Sequence, residues 1–137
     1  MQPIVTFDFD KTLSRTDVQQ YAKQLIKRNI TVWVVTARYD ELQKHRWVAN
    51  PCNEDLYKVI KEVGIPRHNV RFQCMTPKSD YLTNTKVLWH LDDNEDELYS
   101  IKMNSDVNPV DVNFSTWKEE CEALLEKYLK QNNYDFS

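Results

Sequence analysis

Glycine is almost missing from this chain: Gly64 stands alone among 137 residues. Glycine-rich phosphate loops of the Walker or dinucleotide type are thereby excluded, because they need several glycines where backbone amides close on a phosphate. Any phosphate bound here has to be held by other means. Cysteine is scarce as well, and Cys52, Cys74 and Cys121 are odd in number, widely spaced and free of CxxC pairs. That pattern fits reduced thiols filling a core better than a disulfide framework or a zinc site. It also argues against a cysteine-based phosphatase, since the positions where the partner arginine of such an enzyme would stand hold Lys58, Asp80 and Lys127. No run approaches the roughly 18 apolar residues that span a bilayer, and the N-terminus lacks the basic-then-apolar pattern of a signal peptide. A cytoplasmic protein with no membrane association is the default expectation. The net charge of −3 lacks the basic excess of a non-specific nucleic-acid binder, although a local basic patch stays open.

Hydrophobic residues at 41% and charged residues at 28% are what a folded soluble domain carries, and the length suits one core. The expectation is a single domain over 1–137. Ile4 to Phe7 is a short β-prone run of the kind found in a central parallel strand. Thr16 and Gln19 have capping-box spacing, and Val18, Tyr21, Ala22, Leu25 and Ile26 follow at helical offsets. Ile30 to Val35 reads as a second buried strand ending at Thr36. Leu56, Val59, Ile60 and Val63 recur with helix period before Gly64, a left-handed stop. A short strand follows around Val70 to Cys74, then the apolar run Val87 to Leu91, then an acidic-started helix over 95–103. Val110, Val112 and Phe114 alternate with polar residues as in a strand near a sheet edge. Thr116 and Glu119 form a second capping box ahead of Trp117, Cys121, Leu124, Leu125, Tyr128 and Leu129, and the tail beyond Gln131 is expected to fray. Strands alternating with helices about five times argue for an α/β sandwich around a mostly parallel sheet.

Ligands of open α/β sheets bind beyond the carboxyl ends of the strands. Those ends are unusually polar here: Asp8 and Asp10 follow the first strand, Thr36 ends the second, and Asp92 and Asp93 follow the Val87 run. If the first strand persists, Asp8 and Asp10 point to the same side. With Asp92 beside them, these carboxylates would repel one another in a sheltered cleft unless a cation neutralised them. Magnesium suits such a site, because it takes oxygen ligands and binds through one or two carboxylates together with a substrate phosphate.

These residues resemble the motifs of the haloacid dehalogenase superfamily of phosphohydrolases. Asp8-Phe9-Asp10-Lys11-Thr12 matches its DxDxT first motif, with Lys11 where glycine is common; Thr36 matches the second; a lysine before the fourth strand is the third; Asp92-Asp93 matches the fourth. The resemblance covers roughly residues 4 to 103. It implies a three-layer α/β/α sandwich with a mostly parallel five-stranded Rossmann-like sheet. It further implies a phosphomonoester hydrolase in which Asp8 is the nucleophile and Asp10 the general acid and base. Magnesium would be held by Asp8, Asp92 and the Asp10 backbone carbonyl, with Asp93 ligating through water or orienting the shell. Thr36 and the lysine would bind the phosphoryl oxygens. Lys78 stands in the loop context of the third motif, and Lys86, at the start of the Val87 run, is the alternative. Arg38 could touch substrate, and otherwise reads as a surface arginine.

The family's cap domains are inserted after the first motif or between the second and third, and both intervals here are consumed by the elements already assigned. A capless site goes with a macromolecular substrate or with a neighbouring copy of the chain covering it. The expected partner is therefore a phosphorylated small molecule or a nucleic-acid end, with a homo-oligomer as a further option and residues 39–53 as the specificity element. Two other classes compete: a catalytically idle phosphate-binding module, and a receiver-like signalling domain, which would place its acidic pair at the first strand and its lysine last. His90 reads as a packed core residue, and Trp33, Trp47, Trp89 and Trp117 as core. The clusters Lys44-His45-Arg46 and Arg67-His68-Arg71 read as solvated surface.

Overall fold

The computed structural model describes residues 2–41 and 52–132. Trp47, the Lys44-His45-Arg46 cluster, most of the 39–53 stretch and the tail past residue 132 lie outside them. The chain runs β1 (Ile4–Phe7), α1 (Thr16–Lys27), β2 (Thr31–Thr36), α2 (Glu54–Val63), β3 (Val70–Phe72), α3 (Lys78–Leu82), β4 (Val87–Asp92), α4 (Glu95–Asn104), β5 (Asn108–Asp111) and α5 (Trp117–Gln131). All five strands form one sheet in the order β3-β2-β1-β4-β5, and every pairing is parallel. Among the described residues no helix is long and apolar enough to cross a membrane.

The alternation of strand side chains divides the core between the two faces of the sheet. Val5, Phe7, Val34, Trp89, Leu91 and Val110 meet Val18, Tyr21 and Leu25 of α1, Leu56 and Ile60 of α2, and Trp117, Cys121 and Leu125 of α5. Val35 lies in a second cluster with Leu82 of α3, Ile101 of α4 and Val107. Removing one such side chain from water contributes roughly 1.5–3 kcal/mol. Trp89 and Trp117 are buried in this core, whereas Trp33 is half-buried and, of the cysteines, only Cys121 is interior.

Gly64 ends α2 at φ 99°, where its amide and that of Ile65 both bond the Ile60 carbonyl. The two capping boxes do not form. Arg15 rather than Thr16 precedes α1, and at α5 the Thr116 hydroxyl donates to the Glu120 carboxylate (3.2 Å) instead of accepting a backbone amide. The last strand sits earlier than the Val110-Val112-Phe114 alternation indicates. Its partner fixes the register: Trp89 pairs with Asn108 and Asp92 with Asp111, after which the chain turns and leaves Phe114 exposed.

From β1 the chain moves outward through β2 and β3, then returns to lay β4 on the other side of β1. The crevice between β1 and β4 is thus the point at which strand order reverses, the place where open α/β sheets bind ligands.

Candidate active site

Beyond Phe7 the chain does not continue as a strand. The Asp8 amide still bonds the Leu91 carbonyl of β4 (2.9 Å), but residues 9–13 wind into one wide turn closed by Leu13 N on Asp8 O and Ser14 N on Phe9 O, each 3.0 Å. Lys11 takes φ 60° in that turn, a left-handed conformation that glycine adopts without strain. The turn separates the two aspartates of the first motif. Asp8 is buried with its carboxylate over the β1–β4 crevice, while Asp10 is exposed.

Asp8, Asp92 and Asp93 each place a carboxylate oxygen within 4.8 Å of the other two. Lys78, at the start of α3 and itself buried, inserts its ammonium between two of them, 2.8 Å from Asp8 Oδ1 and 2.6 Å from Asp92 Oδ2. The Lys78 amide is in turn anchored on the Glu97 carboxylate of α4 (3.1 Å). The Thr12 hydroxyl donates to Asp8 Oδ2 (3.3 Å), and the amides of Asp93 and Asn94 donate to Asp92 Oδ1 (2.8 and 3.1 Å). On its other oxygen Asp92 meets Nε2 of the fully buried His90 (2.7 Å), whose Nδ1 lies 2.7 Å from the Thr6 hydroxyl.

Electrostatics separate the two buried acids. Burial, then the nearby Asp92 charge, push Asp8 up to about 8 against the opposing pull of Lys78. For Asp92, burial works in the same upward direction but is outweighed by the His90 hydrogen bond and the Lys78 ammonium, which hold it well below the usual carboxylate range. Burial lowers the His90 pKa, against the raising effect of its hydrogen bond to Asp92. Burial also opposes the Lys78 ammonium, yet the two carboxylates raise its pKa.

One ammonium does not balance three carboxylates. The cluster is an all-oxygen donor set, and after burial the Asp92 charge is the second cause of the upward displacement of Asp8. Asp8, Asp92 and Asp93 could hold a metal ion, and the donor chemistry fits magnesium.

The other sequence candidates fall around this cluster. Thr36, fully buried at the end of β2, accepts the Arg38 amide on its hydroxyl (3.2 Å). The Arg38 side chain forks between two carboxylates, at 3.0 and 2.7 Å from Asp10 and 2.7 and 2.8 Å from Asp55 of α2, with its guanidinium 4.8 Å from the centre of the Phe9 ring. The hydrogen bonds to Asp55 and Asp10 raise the Arg38 pKa further. Asp10 therefore stands outside the acidic triad, on the rim, paired with Arg38. Lys86 is exposed beside the first residue of β4, at the opposite end of that strand from Asp92.

Sequence reasoning did not identify Thr6, Asp55, Glu97 or the polar role of His90, and it named Thr12 only as part of the first motif, without its bond to Asp8. A signal existed for two of them: Thr6 shares strand parity with Asp8, and His90 with Asp92, so both face the same side of the sheet one pleat deeper. No family model, curated protein or solved structure matches the chain.

Proposed function

We propose that this chain is a magnesium-dependent phosphomonoester hydrolase of the haloacid dehalogenase type, with Asp8 as nucleophile. The observation that carries the reading is the meeting of Asp8 with Asp92 and Asp93 at the β1–β4 switch point, with the Lys78 ammonium between the first two.

Magnesium bound by Asp8, Asp92 and Asp93 would supply positive charge against the substrate phosphate and the carboxylates. The remaining work falls to the chain. An Asp8 oxygen attacks phosphorus and the bond to the leaving oxygen breaks, which gives an aspartyl phosphate and splits one hard hydrolysis into two easier steps. Asp10 protonates the leaving oxygen, then takes a proton from the water that attacks the same phosphorus and frees Asp8 and phosphate. Lys78 and the Thr36 hydroxyl bind phosphoryl oxygens as charge builds on them. Arg38 sets the place of the Asp10 carboxylate on the rim and, by exchanging it for a phosphoryl oxygen, delivers Asp10 toward the leaving group.

The described residues form one sheet with its helices and add no further domain over the crevice. An open site of this kind suits a nucleotide or the phosphorylated end of a polynucleotide. The receiver-like alternative fits less well, because receivers carry the strand order 2-1-3-4-5 and this sheet runs 3-2-1-4-5. An idle phosphate-binding module is favoured by one feature, the Arg38 fork on Asp10. Turnover decides between them. Purified protein in magnesium should hydrolyse a generic aryl phosphate, EDTA should stop it, and Asp8→Asn should abolish it with folding preserved. Undiminished activity in Asp8→Asn would remove Asp8 as nucleophile, and no activity in the wild type would favour the binding module.

A further inference from the structure

Three donors converge on the Asp92 carboxylate, Lys78 Nζ on one oxygen and the Asp93 and Asn94 amides on the other, and His90 Nε2 lies 2.7 Å from the first of these oxygens. A carboxylate surrounded in this way is ionised and can only accept. Nε2 of His90 must therefore carry the proton, since the opposite tautomer would turn a nitrogen lone pair toward a carboxylate oxygen 2.7 Å away. In the neutral ring Nδ1 is then bare and needs a donor. The Thr6 hydroxyl, 2.7 Å distant, supplies it. Thr6 and His90 are register partners across the β1–β4 pair, and both are buried, so the hydrogen bonds run in one direction: Thr6 to His90 to Asp92.

The Thr6–His90 pair occupies the sheet face that leads to the site, where valine and leucine could fill the space without polar atoms, and a buried polar pair is costly unless each member is satisfied. From this we infer that Thr6 and His90 are positioning residues, which fix the orientation of the Asp92 carboxylate for a divalent cation through a single enforced histidine tautomer. The inference rests on the reading of Asp8, Asp92 and Asp93 as a cation site, and is independent of whether the site turns over a phosphate ester. Partners of this kind, one bond removed from a metal ligand, typically govern affinity by about 10–100-fold.

The test uses Thr6→Val, which keeps the shape and removes the donor, and Thr6→Ser, which keeps the donor. Magnesium alone is titrated calorimetrically into the full chain. The expected result is a loss of about tenfold or more in magnesium affinity for Thr6→Val and near wild-type affinity for Thr6→Ser. The ring nitrogens of His90, followed by 15N NMR in metal-free protein, should show one tautomer protonated at Nε2 in the wild type and in Thr6→Ser, and in Thr6→Val an Nδ1 resonance shifted to that of a nitrogen that has lost its donor. Equal magnesium affinity in Thr6→Val and wild type, or a wild-type ring protonated at Nδ1, would overturn the inference. Asp92→Asn distinguishes the two levels. If it binds magnesium as tightly as the wild type, the cation site itself is misassigned and the inference falls with it. If it loses binding while Thr6→Val does not, only the positioning role is overturned.

Discussion

Replacing Lys78 with methionine removes the ammonium that separates Asp8 from Asp92 while keeping most of the side-chain volume. The lysine side chain is 3% exposed, and the carboxylates it bridges are 7% and 0% exposed, so none of the three charges is screened by water. Breaking a buried ion pair by deleting one partner costs about 3–5 kcal/mol, because the surviving charge has no compensation. For a domain of this length that is a fall of roughly 10–20 °C in melting temperature. The structure sets a pH dependence on that penalty. Asp8 is held above its ordinary value of 3.8, at about 8, and Lys78 is among the groups that pull it down. Without the lysine Asp8 keeps its proton to higher pH, so Lys78→Met should cost least near pH 6 and most near pH 9. Adding Asp8→Asn to Lys78→Met should recover about 2 kcal/mol or more at pH 9, where Asp8 must either hold a proton or ionise without a partner, and little near pH 6, a coupling expected of groups in direct contact. Urea unfolding in EDTA, followed through the buried Trp89 and Trp117, measures all four corners of the cycle. A penalty below about 1 kcal/mol at both pH values, or no recovery in the double variant, would refute the reasoning, since buried charges cannot be abandoned at so small a cost.

Two further outcomes follow from the same geometry. Between about pH 7 and 8 the folded metal-free protein holds a proton on Asp8 that the unfolded chain has released, so its stability should fall with rising pH by up to about 1.4 kcal/mol per unit, whereas at lower pH His90, whose pKa burial lowers, offsets this slope. Asp92, depressed in the fold, adds stability above its unfolded value and loses it only in stronger acid, outside that window. Urea titrations across the range in EDTA test this, and a flat profile in the wild type, or an unchanged slope in Asp8→Asn, contradicts the placement of the extra proton. Lys11→Gly should stabilise the metal-free protein by up to about 1 kcal/mol, because relief of the left-handed backbone at φ 60° outweighs the added freedom of the unfolded chain. A drop in melting temperature for that variant would show that the Lys11 side chain supports the turn.

Much of this fold was legible because its signals are local. Val18, Tyr21, Ala22 and Leu25 announce α1 by period, and Gly64 marks the end of α2 by the left-handed conformation that other residues avoid. Strand ends rich in Asp and Thr pointed to the rim on which Asp8, Asp92 and Asp93 meet. What escaped depended on contacts distant in sequence. The extent of β5 is set by its pairing to β4 rather than by its own alternation. The Thr16 and Thr116 caps had the right letters, but α1 starts one residue earlier and the Thr116 hydroxyl turns to Glu120. Arg38 read as either substrate contact or surface; its fork between Asp10 and Asp55 joins the turn after β1 to α2, and no short motif encodes that juxtaposition. His90 was legible by parity as lying beneath Asp92, yet only the parallel register that sets it beside Thr6 turns a core histidine into a hydrogen-bonded link.

Mixing the protein with an aryl phosphate and magnesium, quenching in acid within the first turnovers and mapping the peptides by mass spectrometry reads the chemistry at its source. The expected product is a single phosphoryl group on Asp8, present in the wild type, enriched in Asp10→Asn, where the second step is slowed, and missing in Asp8→Asn. Hydrolysis that proceeds with Asp8 unmodified at every time point, or a phosphoryl group found on another residue, would contradict the account.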